Sequence, residues 1–157
     1  MGKFLLIVIS VFFFSCSSTK YFVVRHAEKE SNTMTSDVSL SDAGRQRADA
    51  LRVVLADEKI MDVYSTNYIR TKTTVQPLAD AKQLQVKTYQ PMDTTFFKAL
   101  RDSKRNTLIA GHSNTVDDIV NHLLGKKQMS DLPETQYGDL FIVTKKGKKF
   151  NLEVKKF

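Results

Sequence analysis

The sequence holds a single cysteine among its 157 residues, and one thiol cannot close an internal disulfide. It contains no GxxxxGK[ST] stretch to cradle a nucleotide triphosphate, and no HExxH pair to hold zinc from one helix face. The histidines His26, His112 and His122 do not form a tight ligand set, so neither a metal nor a cofactor is expected. Long apolar runs are missing too. Phe4 to Phe14 supplies half of the ~20 residues that span a bilayer, which argues against a permanent transmembrane helix. With no repeat, low-complexity tract or second linker, a chain of this length suits one domain with a real core.

What precedes that domain has a different character. Met1-Gly2-Lys3 is a short basic start, Phe4 to Phe14 is almost wholly apolar, and Ser15-Cys16 follows, which is the plan of an exported signal. Cys16 after FFFS resembles a bacterial lipobox, in which the signal is cleaved before a cysteine that then carries lipid; Phe13 stands where smaller residues are common. The expectation is a signal peptide at 1–15, Cys16 as the lipidated first mature residue, a short linker at 16–20 and a folded domain at 21–157. Such a protein would sit in the bacterial cell envelope, held to a membrane and facing the periplasm. A lipidated Cys16 also excludes a cysteine nucleophile. The net charge is +7, and loss of Lys3 leaves +6. Much of that excess lies in the tail KKGKKFNLEVKKF, where lysines suit an exposed edge hairpin rather than a nucleic-acid surface.

Two periods alternate after Lys20. Tyr21 to Val24, Asp62 to Ser65, Val86 to Tyr89 and Thr107 to Ala110 read as strands. Ser41 caps a predicted helix with Ala48, Leu51 and Leu55 on one face. Residues 67–81 form a second, which Pro77 is expected to kink or end. Phe96, Phe97 and Leu100 mark a shorter one. Val116, Ile119, Val120, Leu123 and Leu124 form the clearest pattern, with Gly125 as the stop. Leu140 to Thr144 and Asn151 to Val154, joined through Lys146-Gly147, predict a hairpin. The order implies an α/β three-layer sandwich: a mostly parallel sheet, helices on both faces, and a C-terminal antiparallel hairpin.

Such sheets bind ligands beyond the carboxyl ends of their strands. The first strand ends at Arg25-His26, the second leads into STNYIRTKTT with Arg70, and the fourth ends at Gly111-His112-Ser113-Asn114. Two arginines and two imidazoles therefore share one rim, a set suited to phosphate. The helix start after Asn114 adds N–H dipoles, and Gly111 would let the backbone approach the ligand. An imidazole in that cluster can also attack phosphorus. His122, without a partner motif, reads as a structural helix residue.

RHAE at 25–28, LSDAGRQRA at 40–48, YSTNYIRTKTT at 64–74 and GHSNT at 111–115 resemble, in order and spacing, the histidine phosphatase superfamily, also called phosphoglycerate mutase-like. The length suits its small phosphohistidine phosphatases. The resemblance implies that His26 is a nucleophile forming a phosphohistidine, and that Arg25, Arg70 and His112 form the phosphate pocket, with Asn114 or Ser113 adding a hydrogen bond. Ala27 stands where many relatives have glycine. The activity implied is metal-independent hydrolysis of a phosphomonoester or phosphoamidate, on a small molecule or a phosphoprotein.

The division of labour expected is a neutral His26 beside a protonated His112, with a bell-shaped pH profile. Asp93 is the candidate proton donor for the leaving group and reads equally as a helix N-cap. Glu28 reads as structural, and Arg45 and Arg47 as a solvated helix face. Segments 29–39 and 126–138, irregular and polar, are expected to set selectivity. A noncatalytic phosphate or phosphopeptide module is the alternative from another class. A phosphomutase is disfavoured, because mutases of this family carry additional chain around the pocket.

Overall fold

Alternate residues of the first strand serve two cores, and that arrangement sets the architecture. The computed structural model describes residues 18–31 and 37–157; the expected signal at 1–15 and Cys16 lie outside the described residues. Strand β1 (Ser18–Arg25) places Tyr21 and Val23 in one buried cluster and Phe22 and Val24 in another. All four are 0% exposed, so the near-continuous apolar run reflects a strand covered on both faces.

The order continues with α1 (Asp42–Val54), β2 (Asp62–Ser65), α2 (Ile69–Ala81), β3 (Val86–Thr88), α3 (Thr94–Asp102), β4 (Thr107–Gly111), α4 (Val116–Leu124), β5 (Asp139–Lys146) and β6 (Lys149–Lys156). The sheet runs β3-β2-β4-β1-β5-β6. Strands β1 to β4 are parallel, and β5 and β6 add antiparallel. Leu51 of α1 and Leu78 of α2 pack with Phe22 and Leu108, while Phe97 of α3 and Ile119 of α4 pack with Tyr21 and Ile109 on the other side. The three-layer arrangement and the terminal hairpin match the sequence expectation.

Two expectations change. Residues 18–20, assigned to a linker, belong to β1: Ser18, Thr19 and Lys20 pair with Lys146, Lys145 and Thr144. The partner β5 runs that far and offers its backbone groups, which an extended chain satisfies. Pro77 does not end α2, which continues to Ala81. Val75, Leu78 and Ala79 are buried around it, and their packing outweighs the lost backbone bond. The lysines of the tail fall on β6, the edge strand, where Lys149, Lys155 and Lys156 are exposed. Charges there oppose edge-to-edge pairing.

The start of α1 is fixed against the chain that follows β1. Ser41 Oγ accepts from the Gly44 N–H at 3.1 Å, and the Ser41 N–H donates to the Glu28 carbonyl at 2.9 Å. A Cβ on Gly44 would come closer than 3.0 Å to that same Glu28 oxygen. Helix propensity alone favours alanine over glycine by about 1 kcal/mol, whereas overpacking against backbone costs about 1–3 kcal/mol. Gly44→Ala is therefore expected to lower the urea unfolding midpoint; a raised midpoint would show that the contact relaxes freely.

Candidate active site

The carboxyl ends of β1 and β4 are tied together by the His26 N–H, which donates to the Gly111 carbonyl at 2.9 Å. His26 is 4% exposed, and its Nδ1 lies 2.8 Å from the Ala27 carbonyl. A carbonyl can only accept, so Nδ1 carries the proton and a neutral ring keeps its lone pair on Nε2. Burial above all, then the charges of Arg25, His112 and Arg70, lower the His26 pKa to about 3. The Ala27 N–H donates to Thr74 Oγ1 at 2.9 Å, and Thr74 donates to the Arg70 carbonyl at 2.8 Å. One buried threonine thus holds the turn after the nucleophile candidate against the helix that carries Arg70.

His112 follows β4, with its ring centroid 5.4 Å from that of His26. Its Nε2 is 2.9 Å from Thr66 Oγ1, on a residue just past β2. Burial, then Arg70 and Arg25, lower its pKa to about 4. Burial first, and the neighbouring arginines after it, oppose protonation of either imidazole. A protonated His112 requires added negative charge in the cleft.

Arg70 lines the same cleft as His26 and His112, whereas Arg25 is not among the residues lining it. Arg70 has its guanidinium 4.4 Å from the Tyr68 ring centre and Nη1 3.7 Å from Asp37 Oδ1. The Arg25 side chain is 3% exposed, and its Nη1 donates to the carbonyls of Pro133, Glu134 and Gln136 at 3.0, 3.0 and 3.1 Å. Its Nη2 donates to Glu134 Oε2 at 2.8 Å. Among the described residues, the buried side-chain nitrogens without a hydrogen-bond partner are Arg25 Nε and Arg70 Nε. Unpaired buried donors are costly, and here both belong to the cations flanking His26 and His112.

The cleft measures ≈ 600 Å³, and His26, Arg70, His112, Ser113, Asn114 and Glu134 are among the residues that line it. Asn114 is exposed there, while Ser113 Oγ donates to Glu134 Oε1. Asp93 has another task. Its carboxylate accepts from the Thr95 and Phe96 N–H groups at 2.9 and 3.1 Å as the N-cap of α3, and Pro91 rather than Asp93 lines the cleft. Gly111 answers an internal need: a Cβ there would crowd Thr115 Oγ1 at 2.8 Å and the Tyr89 hydroxyl at 3.2 Å. His122 lies apart from this cleft, its ring 5.0 Å from that of Phe97.

Sequence reasoning did not identify Glu134, Tyr137 or Thr66 as site residues. The Tyr137 ring centre is 4.3 Å from the Arg25 guanidinium and 6.2 Å from the His26 ring centre. Arg47 is not on a solvated face: its Nε and Nη2 grip Glu28 at 2.6–2.9 Å, and Nη1 donates to the Phe157 carbonyl at 2.9 Å. Glu28 is accordingly structural, and hydrogen bonds from Arg47 are the main reason its pKa is lowered.

Residues 21–94 match the family model of the histidine phosphatase superfamily (branch 1). That stretch contains Arg25, His26 and Arg70; the fold adds His112 from outside it. No curated protein matches the sequence. Among solved structures, the chain is similar to one assigned as the phosphohistidine phosphatase SixA of Agrobacterium tumefaciens. The identity is 18%, with 87% of this chain and 97% of that one covered and a TM-score of 0.63. It is also similar to a mycobacterial glucosyl-3-phosphoglycerate phosphatase solved with inorganic phosphate, at 13% identity, 88% and 97% coverage and a TM-score of 0.64. A third is a phosphoserine phosphatase of Entamoeba histolytica solved with 3-phosphoglyceric acid, at 16% identity, 80% and 89% coverage and a TM-score of 0.57. At these identities the likeness concerns the fold.

The cap geometry of Asp93 separates its two readings. Loss of an N-cap costs about 1 kcal/mol, so Asp93→Ala is expected to lower the unfolding midpoint accordingly. Asp93→Asn keeps a capping oxygen and should retain both stability and turnover of a phosphorylated substrate. Lost turnover with intact stability in the asparagine variant would restore Asp93 as the proton donor.

Proposed function

We propose that this chain is a histidine phosphatase: it hydrolyses a phosphorylated substrate without a metal, through a phosphohistidine on His26. The observation that carries this reading is the pairing of a buried imidazole, its lone pair left on Nε2, with two guanidinium Nε donors that no group of the described chain satisfies. A binding pocket needs only the donors; the oriented imidazole adds a nucleophile.

In the first step Nε2 attacks phosphorus, the N–P bond forms and the bond to the leaving oxygen or nitrogen breaks. The leaving group takes the electron pair and acquires a proton. Water then attacks the phosphohistidine, the N–P bond breaks, and orthophosphate and neutral His26 remain. Negative charge on the equatorial oxygens is met by Arg70, by Arg25 Nε and by His112, whose pKa rises as that charge arrives. Thr66 holds His112 in place.

Protonation of the leaving group is the step with least provision. Asp93 is committed to its helix cap, and Glu134 to Arg25 and Ser113. Hydrogen bonding from Ser113 comes first among the causes that lower the Glu134 pKa, so this carboxylate is ionised at neutral pH. The reading therefore favours substrates whose leaving group departs without strong acid assistance: phosphoamidates, acyl phosphates and aryl phosphates. The phosphohistidine phosphatase among the similar structures supports the same class.

Single-turnover labelling with a phosphoamidate donor tests the chemistry. The wild type is expected to acquire acid-labile, base-stable phosphate that His26→Ala does not. Equal phosphate binding by both with transfer to neither would instead favour a noncatalytic phosphate-binding module.

A further inference from the structure

The guanidinium of Arg25 is not free to receive a phosphoryl group as a whole. Nη1 is occupied by the three carbonyls of Pro133, Glu134 and Gln136, which fix the 133–136 backbone to the buried cation. What remains for an oxyanion is the edge formed by Nε and Nη2. Among the described residues Nε has no partner, while Nη2 reaches the Tyr137 hydroxyl at 3.4 Å and carries the Glu134 carboxylate, whose other oxygen accepts from Ser113 Oγ. A guanidinium edge and a serine hydroxyl beside an imidazole form the donor set that a phosphoryl oxygen would use.

We propose that Glu134 is an internal competitor for the phosphoryl group, a carboxylate that occupies the Arg25–Ser113 anion position in the ligand-free protein and must leave when phosphate binds. The inference rests on the reading of the cleft as a phosphoryl site. Exposure determines which partner moves. The Arg25 side chain is 3% exposed, whereas that of Glu134 is 73% exposed, so a change of its rotamers releases the carboxylate into solvent. The backbone of residue 134 stays in place, because its own carbonyl is one of those bound by Nη1.

Two consequences follow from charge. A phosphate dianion gains Arg25 only after displacing an ion pair or by lying against a like charge, so its net affinity is reduced. Orthophosphate, the product, meets the same competition, and Glu134 speeds its departure. Glu134 thus sets affinity and product release, and once released into solvent it is an ionised carboxylate at neutral pH with no proton to give.

Calorimetric titration of the wild type, Glu134→Gln and Glu134→Ala with inorganic phosphate tests this independently of turnover. Both variants are expected to bind phosphate about tenfold more tightly, a gain of about 1.4 kcal/mol, and phosphate is expected to become a stronger product inhibitor of p-nitrophenyl phosphate hydrolysis. Unchanged or weaker phosphate binding in both folded variants would overturn the proposal. So would unchanged binding with a loss of activity confined to alkyl phosphates, which would make Glu134 a proton donor. If the variants bind more tightly while no form hydrolyses any ester or phosphoamidate, the competitor stands and the phosphatase reading falls.

Discussion

The Nδ1–H of His26 donates to the carbonyl of the next residue, Ala27, at 2.8 Å, and the chemistry of the cleft depends on that bond. It fixes one tautomer, leaves Nε2 as the only basic ring nitrogen, and holds the ring at the meeting point of β1 and β4. Burial and the flanking cations complete the effect by keeping the ring neutral. A histidine with the same neighbours but the opposite tautomer would turn an N–H toward an incoming phosphoryl group and could not attack it. Much else near the site serves to keep this geometry. Thr74 holds the Ala27 amide, and the His26 amide is spent on Gly111.

The same crowding explains how two histidines and two arginines coexist. Four protonated groups in one cleft would repel strongly, and burial opposes this by lowering the pKa of both imidazoles. Arg25 is steadied by backbone carbonyls, a carboxylate and the Tyr137 ring; Arg70 leans on Tyr68 and Asp37. Among the described residues, the Nε of each cation has no hydrogen-bond partner. Donors held ready in this way need little rearrangement when charge develops on a transferring group.

The parts of this design that repeat locally were legible in the sequence. The doubly buried run Tyr21 to Val24, the Ser41 cap, the heptad-like spacing after Val116 and the residues just past each parallel strand all carry a local period or turn signal. That was enough to place Arg25, His26, Arg70 and His112 on one rim. The remainder depends on contacts between residues far apart in the chain. Glu134 meets Arg25 across 109 positions and Thr66 meets His112 across 46, and neither pair leaves a periodic trace. Glu134 lies in a segment read as irregular and polar, which located selectivity but not the residue. Arg47 looked solvated because its partner Glu28 lies 19 positions away, in the segment that follows β1.

The resting state of His26 decides whether its ring can attack phosphorus. Nitrogen NMR of the imidazole rings in the ligand-free protein, followed from pH 5 to pH 8, measures it directly. The His26 ring is expected to show a protonated Nδ1 and an unprotonated Nε2 throughout, with no titration near its ordinary pKa of about 6.5, because burial lowers the folded value to about 3. A His26 that titrates near 6.5, or whose proton resides on Nε2, would contradict the account.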